Sequence, residues 1–144
     1  MESDSIILRN DLQELERLHA FFHGLAPSLG LTEKALFQIN LVCDELVTNI
    51  ILYGYPQEEV GLHAIHLDIG LVSGGWELRL TDRGKPFNPL LRATPQTDLS
   101  IEERGIGGLG IHLVKQVMDE LHYERFNEEN ILMMRKNRTE EEVS

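Results

Sequence analysis

The amino-acid sequence predicts an α+β fold, a two-layer sandwich in which a mixed, mainly antiparallel sheet is covered on one face by helices. Three observations carry that expectation. Two helical patterns follow each other early in the chain, two alternating strand patterns then flank Ser73-Gly74-Gly75, and a third helix precedes a closing hairpin. The predicted order is β-α-α-β-β-loop-α-β-β. Helices and strands that come in runs, not in strict alternation, suit helices stacked on one face of an antiparallel sheet.

Composition bounds the answer before any motif does. At 144 residues the chain holds one domain with a real core and is too short for two comfortable ones. Hydrophobic residues at 42% and charged residues at 26% are ordinary for a globular chain. The formal net charge of −11 argues against non-specific nucleic-acid or anionic-membrane binding, because neutralising phosphates takes an excess of Lys and Arg. A nucleotide would therefore have to be held by backbone amides, a divalent metal and a few local cations. Cys43 is the single cysteine, so no internal disulfide forms and a reducing compartment fits. The start Met1-Glu2-Ser3-Asp4 is acidic, and no apolar run nears about 18 residues, so neither a signal peptide nor a membrane span is expected. The expectation is a cytoplasmic domain over residues 1–136 with a polar, disordered tail at 137–144.

Ser5 to Arg9 is a short apolar strand candidate. Asn10 then caps a helix in which Leu12, Leu15, Leu18, Phe22 and Leu25 recur at helical spacing. His19 and His23 in that helix read as exposed or packed histidines without a chemical role. A loop, Ala26-Pro27-Ser28-Leu29-Gly30, leads to the central helix.

That helix starts near Thr32 and stops at Gly54, before Tyr55-Pro56. Thr32 is the N-cap, and Leu31 and Leu36 occupy the two positions of a hydrophobic staple. Ala35, Ile39, Val42, Leu46 and Ile50 form the buried stripe. Glu45 and Asn49 lie one turn apart on the flank of that stripe, while Asp44 and Thr48 mark the centre of the polar side. A carboxylate and an amide at the edge of a core want partners, since burying them unpaired costs roughly 1–3 kcal/mol each. Those partners are either neighbouring backbone or a ligand.

Ile65, Leu67, Ile69 and Leu71 alternate with His66, Asp68 and Gly70; after the glycine turn, Trp76, Leu78 and Leu80 alternate with Glu77, Arg79 and Thr81. One more step puts Asp82 on the face of Trp76, Leu78 and Leu80. An aspartate at a strand end can simply start a turn. An inward one favours a ligand.

Gly84 to Arg104 has no sustained period and contains Pro86, Pro89 and Pro95, which suits a functional or mobile loop. Gly105, Gly107 and Gly110 then satisfy G-x-G-x-x-G, but no convincing strand precedes them and no lysine-serine or lysine-threonine pair follows. A dinucleotide fingerprint and a P-loop are both disfavoured. A glycine run opening a helix N-terminus remains, and free amides with the helix dipole make that a general anion site. Ile111, Val114, Val117, Met118 and Leu121 form the buried stripe of this helix. Leu121 to Phe126 and Ile131 to Arg135 close the chain as a hairpin around Asn127-Glu128-Glu129-Asn130.

Glu45-Leu46-Val47-Thr48-Asn49, then Thr81-Asp82-Arg83-Gly84, then Arg104-Gly105-Ile106-Gly107-Gly108-Leu109-Gly110 resemble, in that order, the N, G1 and G2 boxes of the Bergerat-fold ATPases. That superfamily holds gyrase, heat-shock chaperones, histidine kinases and mismatch-repair proteins. With Lys85-Pro86-Phe87-Asn88-Pro89 after the aspartate box and Met118-Asp119 later, the chain looks like the serine/threonine-kinase anti-sigma factors of bacterial partner-switching systems, over about Ser5 to Arg135. The resemblance implies a histidine-kinase-like ATP-binding domain that takes ATP or ADP with magnesium. It implies that Asn49 coordinates the magnesium, that Glu45 acts as general base or polariser, and that Asp82 accepts a hydrogen bond from the adenine amino group with Gly84 lining the base. Gly105, Gly107, Gly108 and Gly110, with Leu109 among them, would embrace the phosphates. Arg104 either reaches the γ-phosphate or is a surface arginine, and Lys115 lies on a solvated face. Tyr53 stands where many relatives have histidine.

These expectations lead to an ATP-dependent serine/threonine kinase that phosphorylates a small anti-sigma antagonist protein and binds a sigma factor, with a homodimer suggested by the resemblance. A nucleotide-dependent binding module that sequesters its partner is a second reading. A detached histidine-kinase catalytic domain is a third, disfavoured because no phosphoacceptor hairpin stands before the central helix.

Overall fold

The computed structural model of the chain describes residues 3–86, 88 and 107–137. The elements run β1 (Ser3–Arg9), α1 (Leu15–Leu29), α2 (Glu33–Asn49), β2 (Ala64–Val72), β3 (Gly75–Asp82), α3 (Gly107–Val117), β4 (Glu120–Phe126) and β5 (Glu129–Asn137). This is the predicted order. The strands form one sheet in the order β1-β2-β3-β5-β4, with every neighbouring pair antiparallel. Asn137 belongs to β5, paired with Gly75. The expected tail beyond it and most of the proline-containing loop lie outside the described residues.

Period-2 alternation builds the layer. Ile65, Leu67 and Ile69 of β2 and Trp76, Leu78 and Leu80 of β3 are buried, while His66 and Arg79 between them are exposed on the opposite face. Leu71, last in its alternation, is exposed near the strand end. Leu132 and Met134 of β5 continue the buried face. Against it pack Leu18 and Phe22 of α1, Ile39, Val42, Leu46 and Val47 of α2, and Val114 with Met118 at the end of α3. The β4–β5 turn is tighter than expected. It has two residues, Asn127 and Glu128, at φ 51 and 65, the two left-handed positions of a type I′ turn.

The helix ends follow from local chemistry. Thr32 accepts from Ala35 N at 3.0 Å as the N-cap of α2, and Leu31 and Leu36 pack partly buried against the core as the staple predicts. The helix α1 runs further than its proline suggests. Pro27 lies in its last turn, and Gly30 at φ 65 ends it as a Schellman motif, with Leu31 N on Ala26 O and Gly30 N on Pro27 O. Asn10 is not a cap. That role is taken by Asp11, which accepts from Gln13 N ahead of a short 3₁₀ turn at Leu12–Glu14. Asn10 is buried and instead joins the end of β1 to the loop before β2, donating to Glu59 O at 3.1 Å and accepting from His63 N at 2.9 Å. His19 has a partner across the helix pair: its Nε2 lies 2.6 Å from Asp44 Oδ1.

Glu33–Gly54, which is α2 and the turn after it, is long and apolar enough by length and composition to cross a membrane. In this fold it is the core helix, with Ala35, Ile39, Val42, Cys43, Leu46 and Val47 buried and Asp44, Glu45 and Thr48 only partly so. Burial raises the Cys43 thiol well above its ordinary range, leaving it protonated and unreactive.

Candidate functional site

Asp82 is where the alternation of β3 puts it, facing inward at the strand end with 5% of its surface exposed. Its Oδ1 accepts from Gly84 N at 2.8 Å and from Asn130 Nδ2 at 3.0 Å. Among the described residues none donates to Oδ2. Burial is the main influence on this carboxyl and raises it above its ordinary range, against lowering by Asn130, the Gly84 N–H and Arg125. One oxygen is thus committed to the fold.

Asn49 and Glu45 occupy one face of α2 and touch: Asn49 Nδ2 donates to Glu45 Oε1 at 3.1 Å. Asn49 is buried and Glu45 half-buried. Because the carboxylate can only accept, the amide must present its NH2 to Glu45 and turn Oδ1 away. No described residue donates to that oxygen.

Beyond Asn49 the helix widens into a π turn, Ile50–Gly54. It brings the Gly54 carbonyl to the end of β3, where Lys85 N donates to it at 2.8 Å. A Cβ on Gly84 would stand 2.7 Å from Gly54 O, so only glycine permits this approach. Tyr55 adds a second stitch. Its hydroxyl accepts from Arg83 N at 2.9 Å while its ring stacks on His63 at 4.3 Å. Burial raises its phenol above the ordinary range.

These elements enclose a cleft lined by Leu46, Asn49, Ile50, Gly54, Leu80, Asp82, Lys85, Tyr123, Asn130 and Leu132. Its walls are largely aliphatic, with Asp82 and Asn130 at one place and Asn49 at another. Asn49 and Asp82 therefore share one cleft, while Glu45 stands beside Asn49 outside the lining. Gly107, Gly108, Leu109 and Gly110 form the first turn of α3, which packs along α2. Arg104 and Gly105 lie outside the described residues. No group of three or more His, Cys, Asp or Glu gathers to hold a metal among the described residues. A hard cation would need neutral oxygens such as Asn49 Oδ1 together with ligand oxygens, a set that suits magnesium.

Sequence reasoning missed Asn130, Tyr123 and Arg125. Asn130 is buried and directly opposite Asp82 on β5; besides Asp82 it donates to Lys85 O at 3.1 Å and Gly84 O at 3.3 Å. Tyr123 donates to Asn130 Oδ1 at 2.5 Å, and Arg125 Nη1 donates to Gly84 O at 2.8 Å. Asn130 was hidden because it reads as part of the hairpin turn. An asparagine within a strand is disfavoured, and that was the available signal.

Comparison with known proteins agrees with this architecture. Residues 8–136 match the family described as histidine kinase-like ATPase domain. The chain is 27% identical over 89 residues to the serine/threonine-protein kinase BtrW of Bordetella bronchiseptica, covering 62% of this chain and 61% of that protein. It is 26% identical over 102 residues to the serine-protein kinase RsbW of Listeria innocua, covering 68% of this chain and 64% of that protein. The chain thus spans less than two thirds of the length of these curated relatives. In fold it resembles the crystal structure of the RsbU and RsbW domains of Rv1364c from Mycobacterium tuberculosis, with a TM-score of 0.64 at 12% identity, over 95% of this chain and 32% of that one.

Proposed function

This chain belongs to the histidine kinase-like ATPase domain family, and from that premise we propose that it is an ATP-dependent serine/threonine protein kinase acting as an anti-sigma regulatory factor. Its substrate is a small antagonist protein, phosphorylated on a hydroxyl, and its other partner is a sigma factor. The observation that carries the reading is Asp82, a buried strand-end carboxylate with one oxygen tied to the fold and the other without a donor among the described residues, in a cleft that also holds Asn49. The kinase names of the relatives support the reaction class.

In this reading Asp82 Oδ2 accepts from the adenine amino group, and the bare Gly84 backbone lets the base lie close. The aliphatic walls, Leu46, Ile50, Leu80 and Leu132, exclude water from the base. Asn49 Oδ1 is the protein ligand for magnesium, which, when bound, neutralises charge on the phosphates. The amides of Gly107, Gly108, Leu109 and Gly110 at the start of α3 hold phosphate oxygens, aided by the helix dipole. Glu45 takes up or orients the proton of the attacking hydroxyl. The exposed apolar cluster of Leu12, Leu52, Tyr53 and Val60 favours a protein partner. The setting proposed is the cytoplasm, with the chain as a homodimer.

One observation favours a second reading. Glu45 Oε1 is engaged by Asn49 Nδ2, a bond that a purely structural glutamate would also make. A nucleotide-dependent binding module without transfer would keep this pair. Incubation with radiolabelled ATP and candidate antagonists, followed by mapping of the labelled residue, separates the two: label on a serine or threonine is expected, and ATP binding without label on any candidate favours the module.

A further inference from the structure

The geometry points to Tyr123 as a positioning residue that sets the base selectivity of the cleft through Asn130, an inference that rests on the nucleotide reading above. A carboxamide has two ends of nearly equal shape and opposite polarity, so its recognition value depends on what fixes it. Asn130 is fixed at both ends. Tyr123 O–H donates to Oδ1 at 2.5 Å, and Nδ2 faces three acceptors, Asp82 Oδ1, Lys85 O and Gly84 O. Tyr123 reaches Asn130 diagonally across the β4–β5 ladder, since its direct partner is Leu132 and that of Asn130 is Arg125.

Asn130 is buried, so an Oδ1 deprived of its donor would be an unpaired acceptor seeking water or another rotamer. Either change loosens the donor that holds Asp82 Oδ1. Oδ1 is then held by the Gly84 N–H alone, and the acceptor aimed into the cleft is oriented less firmly. A 6-aminopurine donates to that acceptor, whereas a 6-oxopurine presents a carbonyl oxygen to it. Discrimination between the two therefore depends on the Tyr123–Asn130–Asp82 chain, while affinity from the phosphates and the metal does not.

The test compares ATP with ITP, which differ at the 6-position, by calorimetry on the full chain with magnesium. Tyr123→Phe keeps the ring and removes only the hydroxyl. It is expected to lower the ATP-over-ITP preference about tenfold with ITP affinity nearly unchanged. A Tyr123 that matters only for packing would weaken both nucleotides alike, and an unchanged ratio overturns the inference. Asn130→Ser supplies a hydroxyl donor to Asp82 that does not depend on Tyr123. In that background Tyr123→Phe should leave the ratio unmoved, and an additive loss contradicts the relay. Wild type that prefers ATP while the variants keep its ratio removes the relay alone. Wild type that binds neither nucleotide removes the nucleotide reading with it.

Discussion

Asp82 and Asn130 face each other across β3 and β5, and the Asn130 amide donates to Asp82 Oδ1 over 3.0 Å. With the Gly84 N–H on the same oxygen, Oδ1 is spent on the fold. Oδ2 is what the protein can offer a ligand.

Asp82→Asn tests that division. Two donors already face Oδ1, so the new amide must place its oxygen there and its NH2 at the Oδ2 position, opposite the adenine amino group. ATP binding should weaken by roughly 1–3 kcal/mol. Calorimetry that finds equal affinity for variant and wild type contradicts the assignment.

The same substitution has the opposite sign for stability. Asp82 binds its proton more tightly in the fold than at its ordinary value of 3.8, chiefly because it is buried. Its contribution is fully present below that value and is lost as pH rises through the native pKa, so ionised Asp82 is a cost at neutral pH. Nucleotide-free Asp82→Asn should therefore unfold at a higher urea concentration than wild type at pH 7, with the difference shrinking as pH falls toward 4. A variant less stable than wild type at pH 7 contradicts this.

Gly84→Ala addresses the contact between the π turn and the end of β3. Its Cβ would meet the Gly54 carbonyl at 2.7 Å, and both atoms belong to backbone or are bonded to it. Separation of the two segments should cost about 1–3 kcal/mol in urea denaturation and weaken nucleotide binding as well. Wild-type stability in the variant would mean that the loop moves freely away from α2.

Much of the frame was legible because its signals are local. Thr32 and its staple mark the start of α2, the stripe of α2 identifies its buried face, and strict alternation aims Asp82 inward. What escaped depends on distant partners. Asn10 looks like a cap until β2 brings His63 to it. Asn127-Glu128 carries no glycine to announce a two-residue turn, so in the sequence Asn130 reads as part of the turn and not of β5. Pro27 suggests a break, yet the Schellman end at Gly30 holds the last turn of α1. The Gly54–Gly84 contact requires a π turn that no residue pattern in Ile50–Gly54 foretells. Of the candidate site, Asn49, Glu45 and Asp82 could be read in advance, and the Tyr123–Asn130 support could not.

Phosphate transfer, the proposed reaction, is distinguished from mere nucleotide binding at Glu45 and Asn49. Glu45 and Asn49 are hydrogen-bonded to each other, and the proposed kinase gives them separate roles. The decisive measurement takes nucleotide affinity and phosphate transfer to an antagonist from the same preparation of wild type, Asn49→Ala and Glu45→Gln. Asn49→Ala should lose magnesium-dependent binding and transfer together. Glu45→Gln, which keeps an oxygen for Asn49, should bind ATP as wild type does and transfer roughly 10²–10⁴-fold more slowly. Wild type that binds ATP and transfers to no candidate, with Glu45→Gln indistinguishable from it in both assays, would contradict the kinase and leave a nucleotide-dependent binding module.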